Sequence, residues 1–258
     1  MSSCGVAFET FSNFFKEGVF VILYERQTEI LRHLKEQRFS TIKELASLVY
    51  SSESSVRRDV KSLEQKGYVS QVYGGVVLSE YTNSVIPINL RDNSHSSVKE
   101  ELAKRASAYL FDGATVILDG SSTVRRIVKY MDNFRGLKII TNNQRIFEEF
   151  KNSQHTLYCT GGVFSPKSNI FVGSSAENYI NNINADIVFL SSQAISAEGE
   201  ISDVSEQETS LRKVMLSRAE KKIFLCDSSK VGLRKTFTLC TKDDVDAIIC
   251  DKPLPWEK

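Results

Sequence analysis

"SSESSVRRDVKSLEQKGYV", residues 51–69, sets two arginines side by side inside a run of helical spacing. On a wheel of about 100° per residue, Val56, Val60 and Leu63 fall on one side, and Ser54, Arg57, Arg58, Lys61 and Gln65 fall on the other. The run therefore predicts an amphipathic helix with an apolar inner face and a basic outer one. Ser51 or Ser52 is the expected N-cap, and Gly67 stands where a left-handed stop belongs.

Working outward from this helix, Ile30, Leu31 and Leu34 mark an earlier one that fades near Arg38. "TIKE", residues 41–44, has the form of a capping box, with Ile42, Leu45, Ala46 and Val49 following at helical spacing. After Gly67 comes "YVSQVYGGVVL", residues 68–78, two alternating apolar runs that predict a hairpin joined at Gly74-Gly75. Three short helices and a hairpin predict a winged helix-turn-helix domain over 24–79, with the third helix in the major groove of double-stranded DNA. Arginine suits that place, because its fork matches guanine O6/N7 and phosphate oxygens. The candidate DNA-binding residues are Ser54, Ser55, Arg57, Arg58 and Lys61 on the helix, with Gln71 and Tyr73 on the hairpin.

The chain as a whole gives no such signal. Its 258 residues carry a net charge of +1, so any basic surface must be local. Five cysteines lie far apart, mostly in or beside apolar runs, and predict reduced thiols. His33, His95 and His155 are scattered, so neither a metal centre nor a cofactor is expected. No apolar run reaches the roughly 18 residues of a membrane span. The absence of a basic front end or cleavage site excludes a signal peptide, and the expected location is cytoplasmic. Residues 1–23 are expected to be a disordered extension or a mis-called start, since Lys16-Glu17-Gly18 fits the translation of a purine-rich ribosome-binding stretch. The mass of the N-terminal peptide of the native product tests this.

Residues 80–97 are polar and patternless and predict a linker. From Val98 a helix resumes, and over 98–258 short apolar runs alternate with helical stretches. The strand candidates are "ATVIL" (114–118), "LKIIT" (137–141), "HTLYC" (155–159), "ADIVFL" (185–190), "KKIFLC" (221–226) and "DAIIC" (246–250). Helices are predicted near Val124–Met131, Gln144–Phe150, Ser174–Asn181 and Glu206–Arg218. This alternation predicts an α/β domain, a mostly parallel sheet with helices on both faces.

Such sheets bind ligands beyond the carboxyl ends of their strands. There the chain has Asp119, Gly120, Ser121, Ser122 and Thr123, then Thr141 and Asn142, then Gly161 and Gly162, then Asp227 and Lys230. Small and hydroxylated residues let backbone amides approach an anion, and Lys230 offers it a charge. Taken one at a time these are ordinary caps and turns; together they predict a polar pocket.

Both halves resemble the DeoR family of bacterial transcription regulators. In the head, the family pattern is met at Ser52, Ser55, Val56, Arg57, Arg58, Asp59, Leu63, Lys66 and Gly67. In the second half, the family's Leu-Asp-(Ser/Gly)-Gly-Thr-Thr loop appears as Leu118 to Thr123, its Thr-Asn as Thr141-Asn142, its Gly-Gly as Gly161-Gly162 and its Asp-x-x-Lys as Asp227 to Lys230. The resemblance implies a ribose-5-phosphate-isomerase-like sensor domain that binds a phosphorylated sugar. It implies a repressor of a sugar-catabolism operon that works as a homodimer or homotetramer, without catalytic residues. Two departures stand out. The wing reads Gln71-Val72-Tyr73-Gly74-Gly75 where the family has Arg-Val-His-Gly-Gly, and Ser191-Ser192-Gln193-Ala194 replaces a glycine-rich stretch. Two alternatives remain open: a sugar-phosphate isomerase or deaminase using Asp119, Glu206 or Asp227 as base, and a sensor domain reduced to a dimerisation platform.

Overall fold

The computed structural model describes residues 25–37, 39–72, 75–78, 88–93, 95–150 and 154–257. The expected extension at 1–23 and the wing residue Tyr73 lie outside the described residues. Contacts divide the chain into two units, Met1–Ser84 and Val85–Lys258.

In the first unit, helix α1 spans 25–37, followed by strand β1 (Phe39–Ser40), α2 (Ile42–Leu48), α3 (Glu53–Gln65), β2 (Val69–Val72) and β3 (Gly75–Leu78). Thr41 and Glu44 form the predicted capping box at α2. Ile30, Leu34, Leu45, Val56, Val60 and Leu63 are buried, so each helix turns its predicted apolar face inward. Helix α3 stops in a Schellman arrangement: Tyr68 N–H donates to the Leu63 carbonyl and Gly67 N–H to that of Glu64, with Gly67 at φ +77°.

Two details depart from expectation. Strand β1 escapes the sequence because two residues carry no periodicity, yet it pairs with β3 and completes a three-stranded sheet ordered β1-β3-β2 among the described residues. Gly75 belongs to β3, in register with Val72, rather than to the hairpin's joint. A side chain there would collide with the Ser40 carbonyl and the Phe39 ring, so β1 explains the glycine.

The second unit opens with α4 (Ile88–Asn93) and α5 (Ser96–Ser107). The stretch expected to be a linker over 80–97 therefore contains a helix. Its single apolar turn is too short to give a period, and it is held by cations described below. Strands β4 (Thr115–Leu118), β5 (Lys138–Thr141), β6 (Thr156–Cys159), β9 (Ala185–Leu190), β12 (Ala219–Cys226) and β14 (Ala247–Cys250) are the six predicted ones. Among the described residues they form one sheet ordered β14-β12-β9-β4-β5-β6, parallel at every pairing.

Alternation along these strands builds two cores. Val116, Leu118, Ile187, Phe189, Ile223 and Leu225 face one, covered by α5, by a 3-10 turn (Val124–Ile127) and by α6 (Val128–Met131). Ile117, Val188, Leu190 and Phe224 face the other, covered by α8 (Ser174–Asn181) and α9 (Glu206–Ser217). Helices thus lie on both faces. Helix α7 (Gln144–Glu149) adds Ile146 to the first core. A hairpin of β7 (Val163–Ser165) and β8 (Ile170–Val172) and a small sheet ordered β10 (Ala194–Ile195), β11 (Glu200–Asp203), β13 (Phe237–Thr241) complete the unit. These strands were not predicted: β7, β8 and β10 have two or three residues, and β11 and β13 are mixed in polarity.

Candidate DNA interface and ligand crevice

Helix α3 starts at Glu53 because Ser52 caps it, its Oγ accepting from Ser55 N–H at 3.2 Å. Ser54, Arg57, Arg58 and Lys61 are exposed on the outer face, and Ser55 is half-buried beside the cap. Among the described residues Arg57 meets Glu53 alone, at 3.6 Å, and Arg58 donates to Ser55 Oγ at 3.5 Å. Exposed pairs of this kind contribute little, so both forks remain available to another partner. The acid that follows them does the opposite. Asp59 is buried and accepts from Arg26 Nε and, at 3.4 Å, from Gln27 Nε2, fastening α3 to α1. That hydrogen bond raises the Arg26 guanidinium above its usual range.

Gln71 is exposed but already engaged: its backbone N–H and side-chain amide donate to Glu64 at 2.8 and 2.7 Å. These two bonds hold the Glu64 carboxyl below the usual carboxylate range. Gln71 thus ties the wing to α3. Tyr50, which sequence reasoning passed over, is 99% exposed at φ +47° in the turn before α3. A bulky side chain rarely takes that backbone. It borders a groove of about 380 Å³ lined also by Lys43, Ser47, Ser52 and Glu53.

In the second unit the chain leaves β4 toward β5 and β6, but β9 lies on the other side of β4. The carboxyl ends of β4 and β9 therefore flank a switch point, where such sheets open a crevice. Asp119–Thr123 follows β4 and Ser191–Gln193 follows β9. Asp119 stitches the two loops: it accepts from Ser121 N–H at 2.9 Å and Ser191 N–H at 3.1 Å. Beneath them Arg212 is buried with three carboxylates, Asp119 at 2.8 Å, Asp203 at 3.1 Å and Glu208 at 2.9 Å. Burial works against its charge, but the carboxylates overcome this and raise its pKa. Burial likewise pushes the Glu208 carboxyl up, while Arg212 and Arg91 outweigh it and hold the group below its ordinary range.

Two lysines reach the loops. Lys230, in the 3-10 turn Ser228–Lys230 after β12, donates to Ser191 Oγ at 3.2 Å and lies 3.5 Å from Asp227. Lys99 of α5, a buried residue absent from the sequence candidates, donates to Ser122 Oγ at 3.1 Å and to the Arg91 carbonyl. Burial and the charge of Lys230 push Lys99 down to about 7, although Asp227 pulls it up. Arg126 donates to the Asp92 carbonyl at 2.6 Å, so two cations hold the C-terminal carbonyls of α4. Burial would raise Asp227, but Lys230, the Ser229 hydroxyl and Lys99 hold it low.

The structure thus brings Asp119, Gly120, Ser121, Ser122, Thr123, Asp227 and Lys230 to one edge. Gly120 is forced by Ile170 of β8, which a side chain would strike. Thr141 and Asn142 end β5, where Asn142 Nδ2 donates to the Phe171 carbonyl at 2.9 Å. Gly161 and Gly162 turn the chain from β6 into β7. Thr123 Oγ1, Asn142 Oδ1 and Gln193 Nε2 are buried without a hydrogen-bond partner among the described residues, on three of these loops. Of the three carboxylates considered as bases, Asp119 and Asp227 are ion-paired and Glu206 is exposed on the first turn of α9.

Comparison with known proteins agrees with both units. A model of the DeoR-like helix-turn-helix domain matches residues 26–82, and one of the DeoR C terminal sensor domain matches residues 94–252. The chain is 30% identical over 232 residues to the HTH-type transcriptional regulator GolR of Listeria innocua, covering 90% of this chain and 91% of that protein. It is 28% identical over 234 residues to a putative aga operon transcriptional repressor of Escherichia coli O157:H7, covering 90% and 87%. Among solved structures it is similar to ribose 5-phosphate isomerase A of Methanocaldococcus jannaschii, with TM-score 0.40 and 15% identity over 54% of this chain and 55% of that one.

Proposed function

This chain belongs to the DeoR family of transcriptional regulators, and on that premise we propose that it represses a sugar-catabolism operon under the control of a phosphorylated sugar. It is a DNA-binding regulator, and its action lies in the cytoplasm. Arg57 and Arg58 read base edges, Ser54 and Ser55 add contacts around them, and Lys61 or Gln71 mainly touches the DNA backbone. Two half-sites require at least a dimer, so the protein works as a homodimer or homotetramer. The head ends near residue 79, and the sensor domain begins with α4.

The observation that carries the effector reading is the pair of lysines at the switch point. Among the described residues no carboxylate pairs with Lys99, although the side chain is buried. A phosphoryl group is the counter-charge it lacks, with Ser122, Thr123 and Lys230 placed to share the oxygens. Asn142 and Gln193 supply unused hydrogen-bonding atoms for sugar hydroxyls. Binding controls DNA only if it favours one arrangement of the heads over another.

A thermal-shift screen of the purified protein against sugar phosphates, with the unphosphorylated sugars as controls, tests this. A ligand at a hundred times its dissociation constant should add about 2.7 kcal/mol. A shift confined to phosphorylated sugars supports the sensor reading, and no shift with any of them removes it in favour of a platform.

A further inference from the structure

Cys226 ends β12, Cys250 ends β14, and the parallel register sets them opposite each other. Of the neighbouring pairs, Leu225 and Ile249 face the first core and Phe224 and Ile248 the second, so both cysteine side chains project to the second face together. Strands in register are about 4.8 Å apart, within the roughly 4.4–6.8 Å between Cα atoms that a disulfide spans. Side-chain rotation suffices to join the sulfurs, with no strand displaced. Both are free thiols, 1% and 8% exposed; the Cys226 S–H donates to the Asp227 carbonyl at 3.4 Å and the Cys250 S–H to Asp251 Oδ1 at 3.7 Å.

We infer that Cys226 and Cys250 are a redox modification site, a dithiol that a peroxide converts reversibly into a disulfide at the carboxyl edge of the sensor sheet. Cys250 is the more exposed of the two sulfurs and the one a peroxide reaches first, and the neighbouring Cys226 thiol holds it down to about 7, so it is the attacking sulfur. The Cys250 thiolate cleaves the peroxide O–O bond, becoming a sulfenic acid as hydroxide leaves and takes up a proton to form water. The Cys226 sulfur then attacks the sulfenic sulfur. An S–S bond forms, the S–O bond breaks, and the departing hydroxide carries off the Cys226 proton as a second water. Two thiols are oxidised and one peroxide is reduced.

Each cysteine leads directly into an aspartate of the Lys230 turn. Asp227 pairs with Lys230, and Asp251 accepts from Ser228 N–H at 2.6 Å and Ser228 Oγ at 2.9 Å. Oxidation removes the S–H by which Cys226 holds the Asp227 carbonyl, so it loosens the support of Lys230 and weakens the effector site; this consequence rests on the effector reading above.

The test is peroxide treatment of the reduced full-length protein, followed by thiol counting under denaturing conditions and non-reducing peptide mapping. The expected result is a fall from five reactive thiols to three, recovered with dithiothreitol, and one linked peptide joining Cys226 to Cys250. Cys250→Ser should abolish the link, and Cys226→Ser should leave a Cys250 sulfenic acid that a dimedone probe captures. If all thiols survive, or if the link runs through Cys159 or Cys240, the inference is overturned, and the wild-type map alone decides this. A ligand shift in the reduced protein that is lost on oxidation supports the coupling, and an unchanged shift refutes it. The absence of any shift in the reduced protein strikes the effector reading and leaves the disulfide to the peptide map.

Discussion

Arg57 and Arg58 on α3 stand in water with weak partners, whereas Arg212 on α9 is enclosed by Asp119, Asp203 and Glu208. The residue type is the same and the duties are opposite. A guanidinium whose donors are taken up by buried carboxylates serves the fold, here by fixing the loops after β4 and β11. One left exposed on a rigid, capped helix keeps its fork for something outside the molecule. Lys99 and Asp59 extend the contrast: Asp59 is buried with Arg26 as partner, and Lys99 is buried with its hydrogen bonds, among the described residues, going to neutral oxygens.

The largest effect should come from the enclosed arginine. Arg212→Met leaves three buried carboxylates without counter-charge and should cost about 3–5 kcal/mol in denaturant unfolding, while Arg57→Ala should stay within about 0.5 kcal/mol of wild type. Equal losses would erase the distinction between the two regions. Next in size, Lys230→Ala should remove the roughly 2.7 kcal/mol expected from saturating ligand and leave operator binding intact; a retained shift would place the phosphate elsewhere.

Arg57→Ala should weaken operator binding by about 1–3 kcal/mol and relax base preference. Loss of the same size on every DNA sequence in a binding titration would reduce Arg57 to a backbone contact. The last test concerns Lys99. The unfolded lysine titrates near 10.4 and the folded one near 7, so between these values the unfolded chain holds a proton that the folded chain has lost. Stability should therefore rise as pH increases from about 7 toward 10, with the full cost of burying the charge felt below 7. Lys99→Met should flatten that rise in pH-dependent unfolding, and an unchanged slope would assign it to another group.

The same sequence pattern announced three of the buried charges, though none was singled out as buried. Asp59 falls with Val56, Val60 and Leu63, and Lys99 with Leu102, Ala103 and Ala106, at i, i+3, i+4 and i+7 spacing on a buried face. Arg212 shares its buried face with Glu208, Leu211 and Met215. A charge on an apolar stripe is legible as an anomaly. Its partner is not, because nothing local to Arg212 points to Asp119, 93 residues away. The strands β1, β7, β8 and β10 were invisible for a related reason, since two or three residues are too few to set a period, and β11 and β13 mix polar with apolar residues.

What the sequence determined by itself was whatever depends on consecutive residues. Short apolar runs placed all six main strands, the helical period placed the outward stripe of α3, and Thr41, Ser52 and Gly67 marked helix ends through bonds that reach only a few residues. Tertiary structure alone decided the strand order, which puts the loops after β4 and β9 side by side, encloses Arg212, brings Lys99 to Ser122 and sets Cys226 against Cys250. Periodicity reports which face of an element is buried, since burial repeats along the chain. The choice of neighbour across that face is made only when the strands pair, and the chemistry of this molecule lies in those neighbours.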